Sequence, residues 1–143
     1  WRPRLRHLVE KLELSGDVIF TGYVGEEDLL LLYNAASACV FPSFFEGFGL
    51  PALEAMSCGT PVICSNTSSL AEIVNGAGML LDLDDLREWI EAMELILSDQ
   101  ELQAELGEQG LKRAKLFSWE RTARQICEVY EELSPEQQLE TRN

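Results

Sequence analysis

A short apolar run, a glycine turn and a helix follow one another in the middle of the chain, and this order constrains the fold more than any other feature. Residues 39–41 (Cys-Val-Phe) have the composition of a buried strand, and residues 47–49 (Gly-Phe-Gly) form the turn. Pro51 suits the start of a helix that is expected to run to Ser57. Such a strand-turn-helix unit leaves backbone N–H groups unpaired above the sheet, which predicts an anion-binding site.

The same alternation continues on both sides of this unit. Further strands are predicted from the apolar runs at residues 18–20, 61–64 and 79–81, and further helices at residues 26–36 and from Ser68, with only helices after residue 84. Strands that alternate with helices predict an α/β fold, here a Rossmann-like parallel sheet with helices on both faces. Ligands of such sheets bind at the carboxyl ends of the strands.

The helix patterns carry further expectations. Apolar stripes on residues 3–14 and on the helix that opens at Ser118 predict that each of these helices packs through one face. Trp89 and Trp119 are expected to be packing residues. The spacing of a capping box occurs twice, in Ser68 or Ser69 with Glu72 and in Ser98 with Glu101.

Two carboxylates flank the glycine turn. Glu46 precedes it and Glu54 follows it, with seven residues between them. Carboxylates repel phosphate but accept hydrogen bonds from hydroxyl groups. Phosphate on the backbone amides, with sugar hydroxyls on the carboxylates, describes the binding of a nucleotide sugar.

The ordered string also resembles a known family. Residues 46–62, from Glu46-Gly-Phe-Gly-Leu-Pro through Glu54 to Gly59-Thr-Pro-Val, are similar to the Glu-x7-Glu signature of the retaining glycosyltransferases of family 4 (group 1), which have the GT-B fold. The similarity extends to residues 20–22 and 117–120. It implies that residues 1–133 are a partial nucleotide-sugar-binding domain, the C-terminal half of a GT-B enzyme truncated at its N-terminal side, and that residues 134–143 are a polar tail.

The resemblance implies a role for each matching residue. Glu46, the catalytic residue by this comparison, would hold hydroxyls of the transferred sugar and is not assigned as a general base. Glu54 would hold the ribose hydroxyls. The remaining donor-binding residues would be the backbone of Gly47, Phe48, Gly49 and Leu50 at the diphosphate or sugar, Tyr23, Val24 and Glu26 near the nucleobase, and Ser65 and Thr67 lining the pocket.

Simpler structural explanations exist for several of these residues. The glycines could form an ordinary tight turn, and Glu54 could favour the start of its helix through the helix dipole. Residues 21–26 could be an ordinary loop, and Ser68 a helix cap. Residues 82–84 (Asp-Leu-Asp) spell the metal motif of another glycosyltransferase fold, but their position before a helix favours capping, so no metal and no cofactor are expected.

Composition excludes several other functions. The net charge of −14 argues against nucleic-acid binding. No apolar run is long enough to span a membrane, and the four cysteines lack metal-type spacing, which is typical of a cytoplasmic protein with reduced thiols. His7 is the single histidine and lies among arginines, so a Ser-His-Asp or Cys-His group within this chain is excluded.

The resulting hypothesis is a donor-binding domain that helps to transfer a sugar from a nucleotide diphosphate sugar to an acceptor hydroxyl, with retained configuration. The acceptor would bind to an N-terminal domain outside this sequence, which could also provide a peripheral contact with the inner membrane face. The piece alone is expected to be inactive. Two alternatives stay open, a nucleotide-sugar epimerase or hydrolase of the same fold and a non-catalytic Rossmann-like interaction module. The sequence leaves the nucleotide, sugar, acceptor and oligomeric state open.

Overall fold

The computed structural model describes residues 2–133, which fall into two compact units with the boundary between Leu30 and Leu31. The predicted polar tail, residues 134–143, lies outside the described residues. The first unit contains helix α1 (Arg2–Lys11) and an irregular connection that leads into helix α2 (Glu26–Ala35). The second unit contains the sheet and the other helices.

The second unit is built on a parallel sheet, as predicted. Within the described residues its strands are β1 (Cys39–Phe41), β2 (Val62–Ser65) and β3 (Met79–Leu81), in the order β1-β2-β3. Val40 is paired with Ile63 across the first ladder, and Cys64 with Leu80 across the second. All four residues of the central strand are buried. A strand covered on both faces has the continuous apolar pattern that its sequence shows.

Helices cover both faces of this sheet. Helices α3 (Leu50–Ser57) and α4 (Ser68–Val74) cover one face, and α5 (Leu86–Ser98) covers the other. Helix α6 (Gln100–Ala114) packs on α3 and α5, and α7 (Trp119–Glu132) follows it without burying any of its residues. Val62 and Cys64 belong to a core with side chains of α3 and α4, whereas Ile63 belongs to a second core with α5. This division follows from the alternation of side chains along a strand. The predicted fold class is therefore confirmed.

Close packing fixes the position of α3. The helix ends in a Schellman motif, because the N–H of Gly59 donates to Met56 and the N–H of Thr60 donates to Ala55. Gly59 has a φ of 74°, a conformation that glycine adopts without strain at the end of a helix. A Cβ on Gly107 of α6 would lie 2.5 Å from the carbonyl oxygen of Gly59, so α6 can pack on this end only through a glycine.

One predicted strand does not form. Residues 18–20 are assigned no strand, and Ile19 is 85% exposed. A strand exists only when its backbone groups pair with a neighbouring strand. No strand among residues 2–133 pairs with this segment, so its apolar composition alone gave a wrong prediction.

The packing predicted for the two terminal helices is also wrong. On α1, Leu5 and Leu8 are exposed, and on α7 the apolar face is open, with Trp119 81% exposed and Tyr130 71% exposed. An amphipathic pattern tells which face of a helix is apolar, but not whether another element covers it. Trp89 on α5 is buried as predicted, and its indole N–H donates to the carbonyl of Asp82.

Neither predicted capping box forms. Helix α4 has Thr67 at its N-cap with no side-chain cap bond. Ser98 ends α5, and Asp99 caps α6 by accepting from the N–H of Leu102. Ser118 does cap α7, since its hydroxyl accepts from the N–H of Arg121. Among residues 2–133, no helix is both long and apolar enough to cross a bilayer.

Candidate functional site

The candidate site lies where β1 and β2 end. The connection from β1 to α3 runs past the end of β2, and two hydroxyls from that neighbouring strand and loop hold it in place. Ser65, at the end of β2, and Thr67 both donate to the carbonyl of Ser43. Ser65 is fully buried, and its hydroxyl supports the connection from beneath. Its predicted place in the lining of a donor pocket stays a prediction.

Glu46 is held at both its side chain and its backbone. The Ser43 hydroxyl donates to Glu46 Oε1 at 2.8 Å. The N–H of Glu46 donates to Ser68 Oγ at 3.0 Å, and its carbonyl accepts from the Ser69 hydroxyl at 3.0 Å. Glu46 Oε2 accepts no hydrogen bond from any residue that the structure describes. The carboxylate is therefore fixed through one oxygen, and its other oxygen has no partner in the described chain.

The glycine turn leaves a row of backbone donors. The N–H groups of residues 47–50 make no hydrogen bond within the described chain, and no side chain caps α3. Pro51 follows as expected at the start of the helix. Unpaired N–H groups at the start of a helix favour an anion, because the helix dipole adds to the hydrogen bonds they can make.

The two glycines of the turn have different reasons to be glycine. Gly49 has a φ of 93°, and a Cβ there would lie 2.9 Å from Cδ2 of Leu70. Its identity is therefore required by the protein itself. A Cβ on Gly47 would meet no heavy atom within 4 Å, so packing does not require glycine there. Space above Gly47 is instead available for close approach of a ligand to the backbone.

Glu54 lies on the exposed side of α3, at its fifth residue. Its carboxylate accepts from the Tyr33 hydroxyl on α2 at 3.1 Å, and the carbonyl of Tyr33 accepts from Thr60. Burial raises the pKa of Tyr33 and the hydrogen bond to the Glu54 carboxylate raises it further, so this hydroxyl stays a donor over the whole neutral range. The sequence did not indicate Tyr33 as a partner of Glu54, because the two residues lie on separate helices.

Phe48 connects the glycine turn to the corner between α6 and α7. Its ring meets Phe117 edge to face, with the ring centroids 6.2 Å apart. The guanidinium of Arg113 lies 5.1 Å from the centroid of the Phe117 ring and donates to the carbonyls of Glu72 and Ile73. The segment 117–120, which carries part of the resemblance, thus packs against the turn.

An open cleft of about 350 Å³ lies beside the connection, at the ends of β2 and β3. Phe44, Asn66, Thr67 and residues 81–84 line it. The acidic residues on its far side are used locally: Asp82 Oδ1 accepts from the N–H of Asp84, and Asp85 caps α5. Within residues 2–133, no group of three or more histidine, cysteine or acidic residues could hold a metal ion.

The residues predicted near the nucleobase lie in the first unit. Tyr23 is 92% exposed and Val24 is half-buried, both in the irregular connection, and Glu26 is the exposed first residue of α2. Nothing in the structure tests their predicted role, which stays a prediction.

The cysteines provide no reactive centre at this site. All four are free thiols. Burial raises the pKa of Cys39 to about 11 and that of Cys64 to about 12, so both are protonated at neutral pH and unreactive. Cys127 is exposed on α7, outside the hydrophobic core.

Comparison with known proteins gives consistent results. A family model for group 1 glycosyl transferases matches residues 1–113. The chain is 45% identical over 126 residues to the O-antigen chain mannosyltransferase B of Escherichia coli, covering 88% of this chain and 33% of that protein. The chain spans about a third of the length of the curated relatives it matches.

Solved structures agree. The sucrose-phosphate synthase of Thermosynechococcus elongatus superposes with a TM-score of 0.84 at 39% identity, over 92% of this chain and 34% of that one. The C-terminal domain of a group 1 glycosyl transferase from Francisella tularensis superposes with a TM-score of 0.72 at 26% identity, over 80% of this chain and 60% of that one. The fold is that of the C-terminal domain of a GT-B enzyme. The chain belongs to the group 1 family of glycosyl transferases.

Proposed function

We propose that this chain is the donor-binding part of a retaining glycosyltransferase of family 4, which transfers a sugar from a nucleotide diphosphate sugar to an acceptor hydroxyl. Membership of the group 1 family supports sugar transfer as the reaction class. The acceptor and the N-terminal domain that binds it belong to the part of the protein outside this sequence, which would leave this piece inactive alone. A cytoplasmic location, with a peripheral membrane contact through that domain, stays a prediction.

The observation that carries the proposal is the arrangement around Glu46. One carboxylate oxygen is fixed by Ser43, the other has no partner among residues 2–133, and the next residue, Gly47, has open space above its backbone. An oxygen with a free lone pair beside an exposed backbone is suited to accept hydroxyls of a sugar that lies on the turn. In this proposal Glu46 contacts the transferred sugar and takes no proton from the acceptor.

The diphosphate would bind to the unpaired N–H groups of residues 47–50. Unpaired donors of this kind could stabilise the negative charge of the leaving diphosphate, and the start of α3 would add its dipole. Such donors stabilise the developing charge without a metal ion, so the reaction is proposed to be metal-independent.

The ribose hydroxyls would bind to Glu54. Its carboxylate is exposed, and the Tyr33 hydroxyl engages only Oε2. Tyr23, Val24 and Glu26 are proposed to lie near the nucleobase on the strength of the family resemblance. Ser65 and Thr67 would contribute by holding the carbonyl of Ser43, and so the connection that carries Glu46.

Calorimetric titration of the full-length protein with UDP-, GDP- and ADP-sugars, and with the free nucleoside diphosphates, tests the proposal. Glu54→Ala is expected to weaken the binding of nucleotide sugars and of nucleoside diphosphates by at least about tenfold, because both contain ribose. Glu46→Ala is expected to weaken the binding of nucleotide sugars and to leave the affinity for nucleoside diphosphates nearly unchanged. Glu94→Ala, at an exposed position of α5, is the matched control.

Product analysis completes the test. Proton NMR of the transferred sugar should show the anomeric configuration of the donor, and EDTA should leave the rate unchanged. Inversion would reject the retaining mechanism, and free sugar or an epimerised nucleotide sugar as the main product would favour the hydrolase or epimerase alternative. Unchanged binding in both glutamate variants would reject the donor site and favour the non-catalytic module.

A further inference from the structure

Three consecutive hydroxyl residues at the start of α4 are turned away from the helix they begin. Thr67, Ser68 and Ser69 are of the residue types that commonly cap helices, yet no side chain caps this helix. Thr67 donates to the carbonyl of Ser43, Ser68 accepts from the N–H of Glu46, and Ser69 donates to the carbonyl of Glu46. All three hydroxyls therefore act on the connection between β1 and α3.

Ser68 and Ser69 together hold both backbone groups of one residue. The N–H and the carbonyl of Glu46 each make a 3.0 Å bond to one of the two serines, which lie 22 and 23 residues further along the chain. Two bonds on opposite sides of a residue restrict its rotation more than either bond alone. Ser43 restricts the side chain in the same way, through Oε1.

The backbone of Ser68 is strained. Its φ is 46°, in the left-handed region that disfavours residues with a Cβ. Glycine would adopt this conformation without strain, but it would have no hydroxyl to accept from Glu46. Strain that persists beside a hydrogen bond of this kind is typical of positions where local geometry serves a site rather than stability.

We infer that Ser68 and Ser69 are positioning residues that fix the Glu46 carboxylate against the donor sugar. This inference rests on the proposed function. Since the two serines act on Glu46 alone and Glu54 is held separately by Tyr33, their effect falls on the sugar and not on the nucleotide. A carboxylate held within a few tenths of an ångström of its working position contributes most to turnover.

The test uses the full-length protein with two probe pairs, GDP-mannose with GDP and UDP-glucose with UDP. The measured quantity is the ratio of the Kd of the nucleoside diphosphate to the Kd of its sugar, together with kcat and KM. For Ser69→Ala we expect this ratio to fall about fivefold or more and kcat to fall about 10- to 100-fold, while the Kd of the nucleoside diphosphate changes less than twofold. Ser69→Thr keeps the hydroxyl and should therefore retain most of the wild-type Kd ratio and kcat.

Ser68→Gly separates positioning from structure. The change removes the hydroxyl and relieves the strained φ, so we expect an unchanged or higher Tm together with a lower kcat. Ser57→Ala is the matched control, since its exposed hydroxyl donates only to the carbonyl of Leu53 in its own helix. It should leave both the ratio and kcat unchanged.

The outcomes distinguish this inference from the proposed function. If the wild-type protein binds nucleotide sugars and Ser69→Ala and Ser68→Gly keep its ratio and its kcat, the inference is rejected and the proposed function stands. If both variants lose affinity for the nucleoside diphosphate and lose Tm in parallel, the serines are structural and the inference is again rejected. If the wild-type protein binds neither these four probes nor ADP-glucose and ADP, the proposed function fails, and the inference with it.

Discussion

Two acidic stretches follow strands of the same sheet, and they are held in opposite ways. The Glu46–Glu54 stretch follows β1. Besides the local bond from Ser43 to Glu46, bonds from residues more than 20 positions away hold it: Ser68 and Ser69 on Glu46, and Tyr33 on Glu54. The Asp82–Glu88 stretch follows β3, and its bonds join residues within seven positions of each other. Both stretches have closely spaced carboxylates, but only the first is built from distant parts of the chain.

The difference indicates what each stretch is for. Local bonds from Asp82 and Asp85 shape a turn and start a helix, and they use the carboxylates in doing so. Bonds from other elements fix the first stretch from outside and leave Glu46 Oε2 and the N–H groups of residues 47–50 without a partner in the described chain. A site for a ligand needs such unoccupied groups on a rigid support.

Among the variants proposed for the two stretches, Gly49→Ala should cause the largest loss of unfolding free energy. The new Cβ would stand at a φ of 93° and 2.9 Å from the Leu70 side chain of α4. Left-handed strain and overpacking together should destabilise the fold by about 2–4 kcal/mol. Urea unfolding measures the loss, and a change below about 1 kcal/mol would show that α4 does not constrain the first stretch.

Gly47→Ala is the internal control for that experiment. Its Cβ meets no atom within 4 Å, so the unfolding free energy should change by less than about 0.5 kcal/mol. Affinity for a nucleotide sugar should nevertheless fall, because the methyl group occupies the space that the proposed ligand needs.

The sequence predicted local features of both stretches and missed most of their distant partners. The strands at residues 39–41 and 79–81, the glycine turn and the helix end at Ser57 were correct because they depend on neighbouring residues. The capping box at Ser68 was wrong because a tertiary partner, Glu46, competes for the hydroxyl that would otherwise cap the helix. The strand at residues 18–20 was wrong for a related reason, since pairing with a neighbour, and not composition, makes a strand.

Removing a cap tests the local character of the second stretch. Asp85 accepts from the N–H groups of Arg87 and Glu88, so Asp85→Ala should destabilise the fold by about 1–2 kcal/mol. Asp84→Ala removes an exposed carboxylate that accepts no bond in the described chain, and it should cost less than about 0.5 kcal/mol. Equal losses in both variants would contradict the assignment of Asp85 as the cap. Neither variant should alter binding of a nucleotide sugar.

The smallest expected effect concerns the Tyr33–Glu54 hydrogen bond, which can be tested through the pH dependence of the unfolding free energy. Burial and the Glu54 carboxylate raise the pKa of Tyr33 above its ordinary value of 10.0, so the folded state favours the protonated phenol. The stabilisation is therefore fully present below about pH 10 and is lost as the pH rises through the raised pKa. Tyr33→Phe should cost below about 1 kcal/mol at pH 7.

The same variant should flatten the pH dependence of stability in the alkaline range. Wild-type protein should lose unfolding free energy more steeply than Tyr33→Phe between about pH 10 and pH 12, because only the wild type must ionise a phenol that the fold keeps protonated. Absorbance at 295 nm should show a tyrosine that ionises well above pH 10 in folded wild type, and this component should be absent from the variant. Parallel stability curves would mean that Tyr33 does not hold Glu54 across the two helices. The Glu46–Glu54 stretch would then be supported from a distance at Glu46 alone, and the proposed ribose contact would rest on an unsupported carboxylate.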